Sequence, residues 1–196
     1  MAHLTLDQLR QKIKQGKALI CFVDLQDRYL NDANINDELV TGVTDLISHA
    51  QGKIRCLHVG VGADLSIYSF AYKIPEGDPI LFKCHNDAFH SGELNRLMDE
   101  WGTDTLILAG MKAELCVLST GKGGKANGKN VIFLSDLIRS TQRLTYHFDT
   151  LYYLYKDVGP VFRLKDVVEM LDATPHRPIV YNHMLTKKAM FAKTTI

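Results

Sequence analysis

The segment Thr105-Leu-Ile-Leu-Ala-Gly-Met-Lys-Ala-Glu-Leu-Cys116-Val117 joins a short apolar run to a run of helix-forming residues. Glycines bound the apolar run on both sides, which predicts a short buried strand rather than a helix. The residues from Ala113 onward predict a helix that follows a tight turn at Gly110. Cys116 would then lie near the start of this helix, at the carboxyl end of the strand.

Cys116 has two interpretations on this segment alone. A thiol near the N-terminus of a helix gains thiolate character from the helix dipole, and unpaired N–H groups nearby can bind an anion. The residue is therefore a candidate nucleophile. A free cysteine is more often a small buried hydrophobic residue, however. One cysteine is weak evidence, and the segment by itself favours the unreactive role.

The composition predicts a single globular α/β domain. The chain has 196 residues, of which 46% are hydrophobic and 23% are charged, and its formal net charge is +1. This charge gives no electrostatic reason to expect a nucleic acid or a membrane as partner. No apolar run approaches the length of a membrane span, and the first residues lack a signal-peptide core. Because the four cysteines are widely spread, without zinc spacing, we expect a reduced, cytoplasmic protein.

Apolar runs that predict strands alternate along the chain with amphipathic runs that predict helices. Strands are predicted at 18–23, 54–59, 79–82, 106–109 and 131–134, and a further short one within 161–171. Helices are predicted at 4–14, 38–50, 92–101, from 113 onward, at 144–155 and in the second part of 161–171. This alternation predicts a three-layer, doubly wound α/β fold, with a mainly parallel sheet and helices on both faces. We place the domain at 1–175, with a leading helix in 1–17 and a basic C-terminal arm or tail at 176–196.

Two segments interrupt the pattern. The polar run at 31–37 predicts a turn, and the glycines within 121–128 predict that the helix after Cys116 is short or irregular. Two histidines and an aspartate lie close together in the sequence and could bind a metal ion, namely His85, Asp87 and His90. Their spacing fits no standard metal site, so we interpret them as solvated residues of a turn.

Three chemically active side chains follow three different predicted strands. Asp24 lies just past the carboxyl end of the first strand, Lys83 just past that of the third, and Cys116 just past that of the fourth. In a doubly wound fold, ligands bind outside the carboxyl ends of the strands. Asp24 alone is better explained as a residue that caps the following loop. An acid, an ammonium group and a thiol at one edge of a sheet together predict a functional site.

These residues lie in three ordered motifs that resemble those of the isochorismatase-like cysteine hydrolase superfamily, which includes nicotinamidases, N-carbamoylsarcosine amidases and ureidoacrylate amidohydrolases. The first, Val23-Asp24-Leu-Gln26-Asp27, is similar to a strand followed by Asp-x-Gln-Asn. The second is Phe82-Lys83-Cys-His-Asn-Asp-Ala88-Phe89, with Leu94 and Leu97 in the helix after it. The third runs from Leu108 to Val117, with Thr120 and Gly128, and is similar to the family's Gly-x-x-Thr-Asp-x-Cys-Val block.

The resemblance implies a catalytic triad. Asp24 would be the general base, Lys83 would keep Asp24 ionised and lower the pKa of the thiol, and Cys116 would attack a carbonyl to form a thioester. Backbone N–H groups of Lys112 and Cys116 would form the oxyanion hole, with a cis peptide between Met111 and Lys112.

The resemblance also suggests Tyr29 and Phe89 for the wall of the substrate pocket, because each follows one of the two early motifs closely. It further implies a homo-oligomer, and no cofactor.

Departures from the family pattern narrow these expectations. The chain lacks the Asp-x-His…His metal site of nicotinamidases, although His58 and Asp64 lie in that interval, so we predict no metal and disfavour nicotinamide as substrate. Ala113 replaces the usual threonine and Gly123-Gly124 the usual Asp-Ala, changes that would reshape the floor of the pocket. Isochorismatases themselves lack the cysteine, so its presence points to hydrolysis of a C–N bond.

The leading hypothesis is therefore a metal-independent cysteine amidohydrolase whose partner is a small amide, ureide or carbamoyl compound. The alternative is a catalytically inactive binding or scaffold protein of the same fold, which the unusual glycines after Cys116 leave open. A redox-sensing thiol ranks last, because no Cys-x-x-Cys partner is present.

Overall fold

The computed structural model describes residues 3–32, 37–62, 69–140, 144–179 and Tyr181. Within these residues, six parallel strands form one sheet in the order β3-β2-β1-β4-β5-β6. The strands are β1 (Ala18–Val23), β2 (Arg55–Val61), β3 (Ile80–Lys83), β4 (Thr105–Met111), β5 (Asn130–Arg139) and β6 (Val161–Phe162). The helices are α1 (Leu6–Lys14), α2 (Asp27–Asp32), α3 (Asp37–Ala50), α4 (Glu93–Glu100), α5 (Leu118–Ala126), α6 (Leu144–Tyr153) and α7 (Leu164–Asp172). A π-helical turn, Ala113–Val117, precedes α5, and another, Leu154–Val158, follows α6.

Helices cover both faces of the sheet, which confirms the predicted three-layer, doubly wound fold. Helices α1, α3 and α7 pack on one face, and α4, α5 and α6 lie on the other. Strand β1 is buried on both sides: Ile20 and Phe22 belong to the first core, whereas Leu19, Cys21 and Val23 belong to the second. This double burial explains why the strands occur in the sequence as continuous apolar runs.

The sheet changes direction between β1 and β4. From β1 the chain proceeds outward to β2 and β3, then crosses back to β4 on the other side of β1. In such sheets the crevice beyond the carboxyl ends at this switch point is the usual ligand site. The two strands approach closely there, because a Cβ atom on Gly110 would lie 2.1 Å from the Val23 carbonyl oxygen.

Several predicted boundaries were wrong. Strand β5 continues past Leu134 to Arg139, because a register shift against β4 lets the strand resume pairing beyond Ser135 and Asp136. The predicted turn at 31–37 begins inside α2, a helix too short to show apolar periodicity. Residues 33–36 lie outside the described part of the chain.

The glycines of α5 lie in a helix of nine residues that follows a π-helical turn, in agreement with the predicted short or irregular helix. They let it pack closely on its neighbours: a Cβ atom on Gly121 would lie 2.6 Å from the Phe133 ring, and one on Gly124 would lie 2.9 Å from Val131. The irregularity itself is the π-helical turn that precedes α5.

The described part of the predicted C-terminal arm packs on the domain. The Arg177 N–H donates to the Gly52 carbonyl at 2.5 Å, and the Tyr181 hydroxyl bonds the N–H and the carbonyl of Cys56 at 3.0 and 3.2 Å. The boundary at residue 175 stays a prediction. None of the helices in the described ranges is long and apolar enough to cross a bilayer.

Gly110→Ala is expected to destabilise the fold by about 3 kcal/mol, because its φ of 142° and the Val23 carbonyl both exclude a Cβ atom. The matched control is Gly128→Ala, where φ is 73° but no neighbouring atom lies within 4 Å. This control should cost only about 1–2 kcal/mol. The free energy of unfolding in urea measures both, and equal losses would show that the approach of β1 to β4 tolerates a side chain.

Candidate active site

Asp24 lies directly beyond β1 and is only 1% exposed. Its backbone is left-handed, with φ 54°. Residues other than glycine rarely adopt this conformation, and those that do are often found at functional sites. Its N–H donates to the Val59 carbonyl at 2.8 Å, which turns the chain toward β2. A buried carboxylate is thereby held at the switch point of the sheet.

Gln26 fixes the chain just after Asp24. Its side-chain oxygen accepts the Val61 N–H at 2.9 Å, and its side-chain nitrogen donates to the Val61 carbonyl at 3.3 Å. The amide of Gln26 thus pairs with the last residue of β2. This contact gives a structural reason for the glutamine of the first motif.

Lys83 is the last residue of the edge strand β3 and is 5% exposed. Its Nζ atom donates to Asp24 Oδ2 at 2.8 Å and to the His85 carbonyl at 3.0 Å. Burial lowers the pKa of Lys83, but the charges of Asp24 and Cys116 and their hydrogen bonds outweigh burial, so the net shift is upward. The side chain is therefore a buried ammonium group paired with Asp24.

The Asp24 carboxylate keeps one oxygen for further chemistry. Oδ1 is buried and has no hydrogen bond of ordinary geometry to any described residue. Burial raises the pKa of Asp24, against the opposing charge of Lys83, and the Cys116 thiol is close enough to influence the same pKa. A carboxylate with a raised pKa is a stronger base than an exposed one.

Cys116 lies in the π-helical turn between β4 and α5 and is 8% exposed. Its Sγ atom is 3.7 Å from Asn86 Oδ1. Burial and then the negative charge of Asp24 raise the pKa of the thiol to about 11, although Lys83 acts in the opposite direction. Lys83 thus lowers the pKa of the thiol, as the resemblance implies, but burial and Asp24 outweigh this effect, so the net shift is upward. At neutral pH the thiol is protonated.

Two of the three side chains line one small cavity. These are Asp24 and Cys116, and Lys83 is joined to the cavity through its hydrogen bond to Asp24. The cavity has a volume of about 140 Å³ and is lined by Asp24, Tyr29, Val61, Cys84, His85, Asn86, Lys112, Leu115 and Cys116. The Met111–Lys112 peptide that borders it is cis, as the resemblance implies.

The two proposed pocket residues have different positions. Tyr29 lines the cavity, and its ring lies 5.2 Å from Lys112 Nζ. Phe89 is buried in the core, close to Gly124, and is not among the described residues that line the cavity. Its backbone N–H is held by the Asp87 side chain at 2.8 Å, in a loop that also bonds α5 through Thr120. Its assignment to the pocket wall is therefore corrected.

The structure adds cavity residues that the sequence interpretation missed, chiefly Asn86 and Leu115. Asn86 lies three residues after Lys83, inside the second motif, and this position was the available signal. Leu115 is an apolar residue left 43% exposed beside Cys116. Which residues of a loop face a cavity depends on backbone turns that no periodic pattern reveals.

The histidines considered as metal ligands have other contacts. His58 is buried, with its ring nitrogens 2.7 Å from the Tyr72 hydroxyl and 3.2 Å from Asp78. The rings of His85 and His90 are in contact, with centroids 3.7 Å apart and planes tilted by 32°. In the described ranges no three His, Cys, Asp or Glu side chains form a metal-binding group. Asp64 lies outside these ranges, and the absence of a metal stays a prediction.

The family of the chain follows from its sequence between residues 17 and 166, which matches the family model described as the isochorismatase domain. The chain belongs to the isochorismatase family. This is a family of hydrolases, as the resemblance implied. None of the curated proteins compared with the chain matches its sequence significantly.

Solved structures of isochorismatase-like proteins share the fold at low sequence identity. A cysteine hydrolase from Pseudomonas syringae pv. phaseolicola 1448A is 15% identical with a TM-score of 0.69, over 80% of this chain and 93% of that one. An isochorismatase family protein from Burkholderia thailandensis is 17% identical with a TM-score of 0.70, over 80% and 96%. A zinc-bound pyrazinamidase from Pyrococcus horikoshii is 15% identical with a TM-score of 0.66, over 75% and 99%.

Two variants should move the pKa of Cys116 in opposite directions from about 11. Asp24→Asn should lower it, because the charge that opposes thiolate formation is removed. Lys83→Met should raise it, because the ammonium group that favours the thiolate is lost. The measurement is the pH dependence of alkylation by iodoacetamide, with peptide mass spectrometry separating Cys116 from the exposed Cys84. Circular dichroism checks the fold, and shifts of the same sign would contradict this electrostatic arrangement.

Gly123→Ala should disturb the cavity more than the hydrophobic core. The new Cβ atom would lie 2.3 Å from the Asp87 side chain, and Asp87 belongs to the loop whose neighbouring residue Asn86 lines the cavity. The matched variant Gly124→Ala would instead meet the Val131 side chain at 2.9 Å. We expect Gly123→Ala to change the rate of Cys116 alkylation roughly tenfold, and Gly124→Ala chiefly to lower the free energy of unfolding by about 1–3 kcal/mol. Indistinguishable alkylation rates would show that this glycine does not position the loop.

Proposed function

We propose that the protein is a cysteine hydrolase that cleaves a C–N bond of a small amide, ureide or carbamoyl compound through a thioester. The observation that carries this proposal is that Asp24 and Cys116 line one cavity, with Lys83 paired to Asp24 and the second, buried oxygen of Asp24 without a hydrogen bond of ordinary geometry in the described residues. Structural ion pairs seldom leave such an oxygen beside a thiol, because an unpaired buried acceptor is costly.

The proton of the thiol passes to Asp24 as Sγ attacks the substrate carbonyl. Because the pKa of Cys116 is raised to about 11, the thiolate forms only during attack and needs a base at that moment. Asp24 then donates this proton to the leaving nitrogen, and the C–N bond breaks to give the thioester. Water attacks the thioester with Asp24 again as base, which releases the acid and restores the thiol. Lys83 keeps Asp24 ionised between turnovers.

The oxyanion of each tetrahedral intermediate is assigned to the backbone N–H groups of Lys112 and Cys116. Hydrogen bonds of the neighbouring residues hold the backbone of this turn in place. The Lys112 carbonyl accepts the N–H groups of Leu115 and Val117, at 3.0 and 3.2 Å, on either side of the Cys116 N–H. Donors built into a rigid backbone stabilise developing charge without reorganisation.

The size of the cavity supports a small substrate. Its volume of about 140 Å³ is well below the roughly 300–1,000 Å³ typical of sites for drug-sized ligands. Leu115 gives one wall an apolar surface, and Tyr29 gives another an aromatic ring. The related structures named as a cysteine hydrolase and a pyrazinamidase are consistent with hydrolysis of small molecules by this fold.

A homo-oligomer is part of the same proposal. Helix α6 and the turn that follows it carry large side chains that are more than half exposed, namely Phe148, Tyr152 and Tyr155. A cluster of exposed aromatic residues is typical of a protein interface.

The second candidate is a binding protein of this family without turnover. The raised pKa of Cys116 favours it, because a protonated thiol is a poor nucleophile unless Asp24 takes its proton. Both candidates predict ligand binding in the cavity. Only the hydrolase forms a covalent acyl adduct.

Incubation with a panel of small amides, ureides and carbamoyl compounds should give an acyl adduct on Cys116, detected by mass spectrometry of the rapidly quenched protein. Cys116→Ala should lower kcat/KM by on the order of ten-thousandfold or more, as expected for loss of a nucleophile. The control is Cys21→Ala, which removes a buried thiol of the sheet core and should retain turnover. Turnover that survives in Cys116→Ala would reject the mechanism, and ligand binding without turnover across the panel would favour the binding protein.

A further inference from the structure

A second lysine, Lys112, lines the cavity beside the triad. Its side chain is half-buried, and its Nζ atom lies 5.2 Å from the centre of the Tyr29 ring. Lys83 is paired with Asp24, whereas Lys112 forms no ion pair with a carboxylate in the described ranges. The aromatic ring holds the ammonium group by a cation–π contact but leaves its positive charge uncompensated.

The charges around the cavity do not balance. Asp24 and Lys83 cancel each other, and Cys116 is neutral at neutral pH because its pKa is about 11. Lys112 therefore gives these groups a net positive charge. The positive charge of Lys112 also acts on the catalytic carboxylate. It lowers the pKa of Asp24, whereas burial raises it. A small cavity with one uncompensated cation favours an anionic ligand.

We propose that Lys112 is the specificity-determining residue of the site, and that its ammonium group binds a carboxylate carried by the substrate. This inference rests on the proposed function and narrows it to small amides, ureides or carbamoyl compounds that bear a negative charge. Tyr29 positions the ammonium group over its ring. Lys112 then has two separate roles, because its backbone N–H is an assigned oxyanion donor and its side chain selects the substrate.

Two alkylating agents of nearly equal size test this charge preference without knowledge of the substrate. Iodoacetate is an anion and iodoacetamide is neutral, and each transfers its CH₂ group to Sγ as iodide leaves and the thiol proton is lost to solvent. The measurement is the ratio of their rates at Cys116, read by peptide mass spectrometry. Any change in the acidity of the thiol affects both reagents equally and cancels in the ratio.

Lys112→Met should lower the ratio of iodoacetate to iodoacetamide rates by about fivefold or more at low salt, and Lys112→Arg should restore most of it. The matched control is Lys122→Met, because Lys122 also lies over a tyrosine, 5.1 Å from the Tyr153 ring, but does not line the cavity. This control should leave the ratio unchanged. An equal ratio in the wild type and Lys112→Met, or failure of iodoacetate to modify Cys116, would overturn the inference.

A turnover experiment separates this inference from the proposed function. Malonamate and malonamide have almost the same shape but differ by one negative charge. Where both are hydrolysed, Lys112→Met should raise the ratio of KM for malonamate to KM for malonamide by about fivefold or more, because only malonamate carries the charge that Lys112 binds. Unchanged selectivity together with turnover would overturn the role of Lys112 alone. A different outcome is that Lys112→Met loses the preference for iodoacetate but the wild-type protein hydrolyses neither compound. That result would support the anion site and reject the proposed hydrolase.

Discussion

The buried ion pair between Lys83 and Asp24 is the contact on which the site depends. Both charged groups are almost fully removed from water, an arrangement that is unfavourable unless the geometry is good and the remaining donors are engaged. Lys83 belongs to an edge strand and must reach across β2 to Asp24. Val61 fixes the distance that the Lys83 side chain spans. It pairs with Lys83 in the sheet, and its backbone is hydrogen-bonded to the Gln26 side chain. One short strand and one glutamine thus hold the pair together.

The resting site contains one cation, one anion and a neutral thiol, in addition to Lys112. A preformed thiolate beside Asp24 would put two negative charges in a buried space, which is why burial and Asp24 both raise the pKa of Cys116. The arrangement therefore differs from a cysteine held as a thiolate by a helix N-terminus. In the proposed mechanism, Cys116 and Asp24 therefore act as one unit, because the thiol needs the carboxylate to take its proton.

The sequence allowed the fold to be predicted, and with it the placing of Asp24, Lys83 and Cys116 at one edge of the sheet, because buried parallel strands are continuous apolar runs whose carboxyl ends share that edge. The catalytic roles of these residues stay a prediction. Strand ends such as that of β5 could not be predicted, since a register shift depends on the neighbouring strand. Asn86 and Leu115 were missed because loop and π-helical geometry decides which side chains face the cavity. The net rise in the pKa of Cys116 could not be predicted, because burial is a property of the folded chain.

The Tyr181 hydroxyl occupies a position where a strand would otherwise pair. The backbone N–H of His58 donates to the Pro79 carbonyl, on the β3 side of β2. Because backbone groups two residues apart in a strand point to the same side, those of Cys56 also point toward the β3 side. Pairing with β3 begins only at His58, so β3 does not reach Cys56. Tyr181 bonds both backbone groups of Cys56 and so replaces the missing strand at this point. A chain ending at residue 166, where the family match ends, would keep every residue of the triad yet leave this edge open to pairing with another molecule. The contact that covers this point of the sheet therefore lies outside the residues that match the family model.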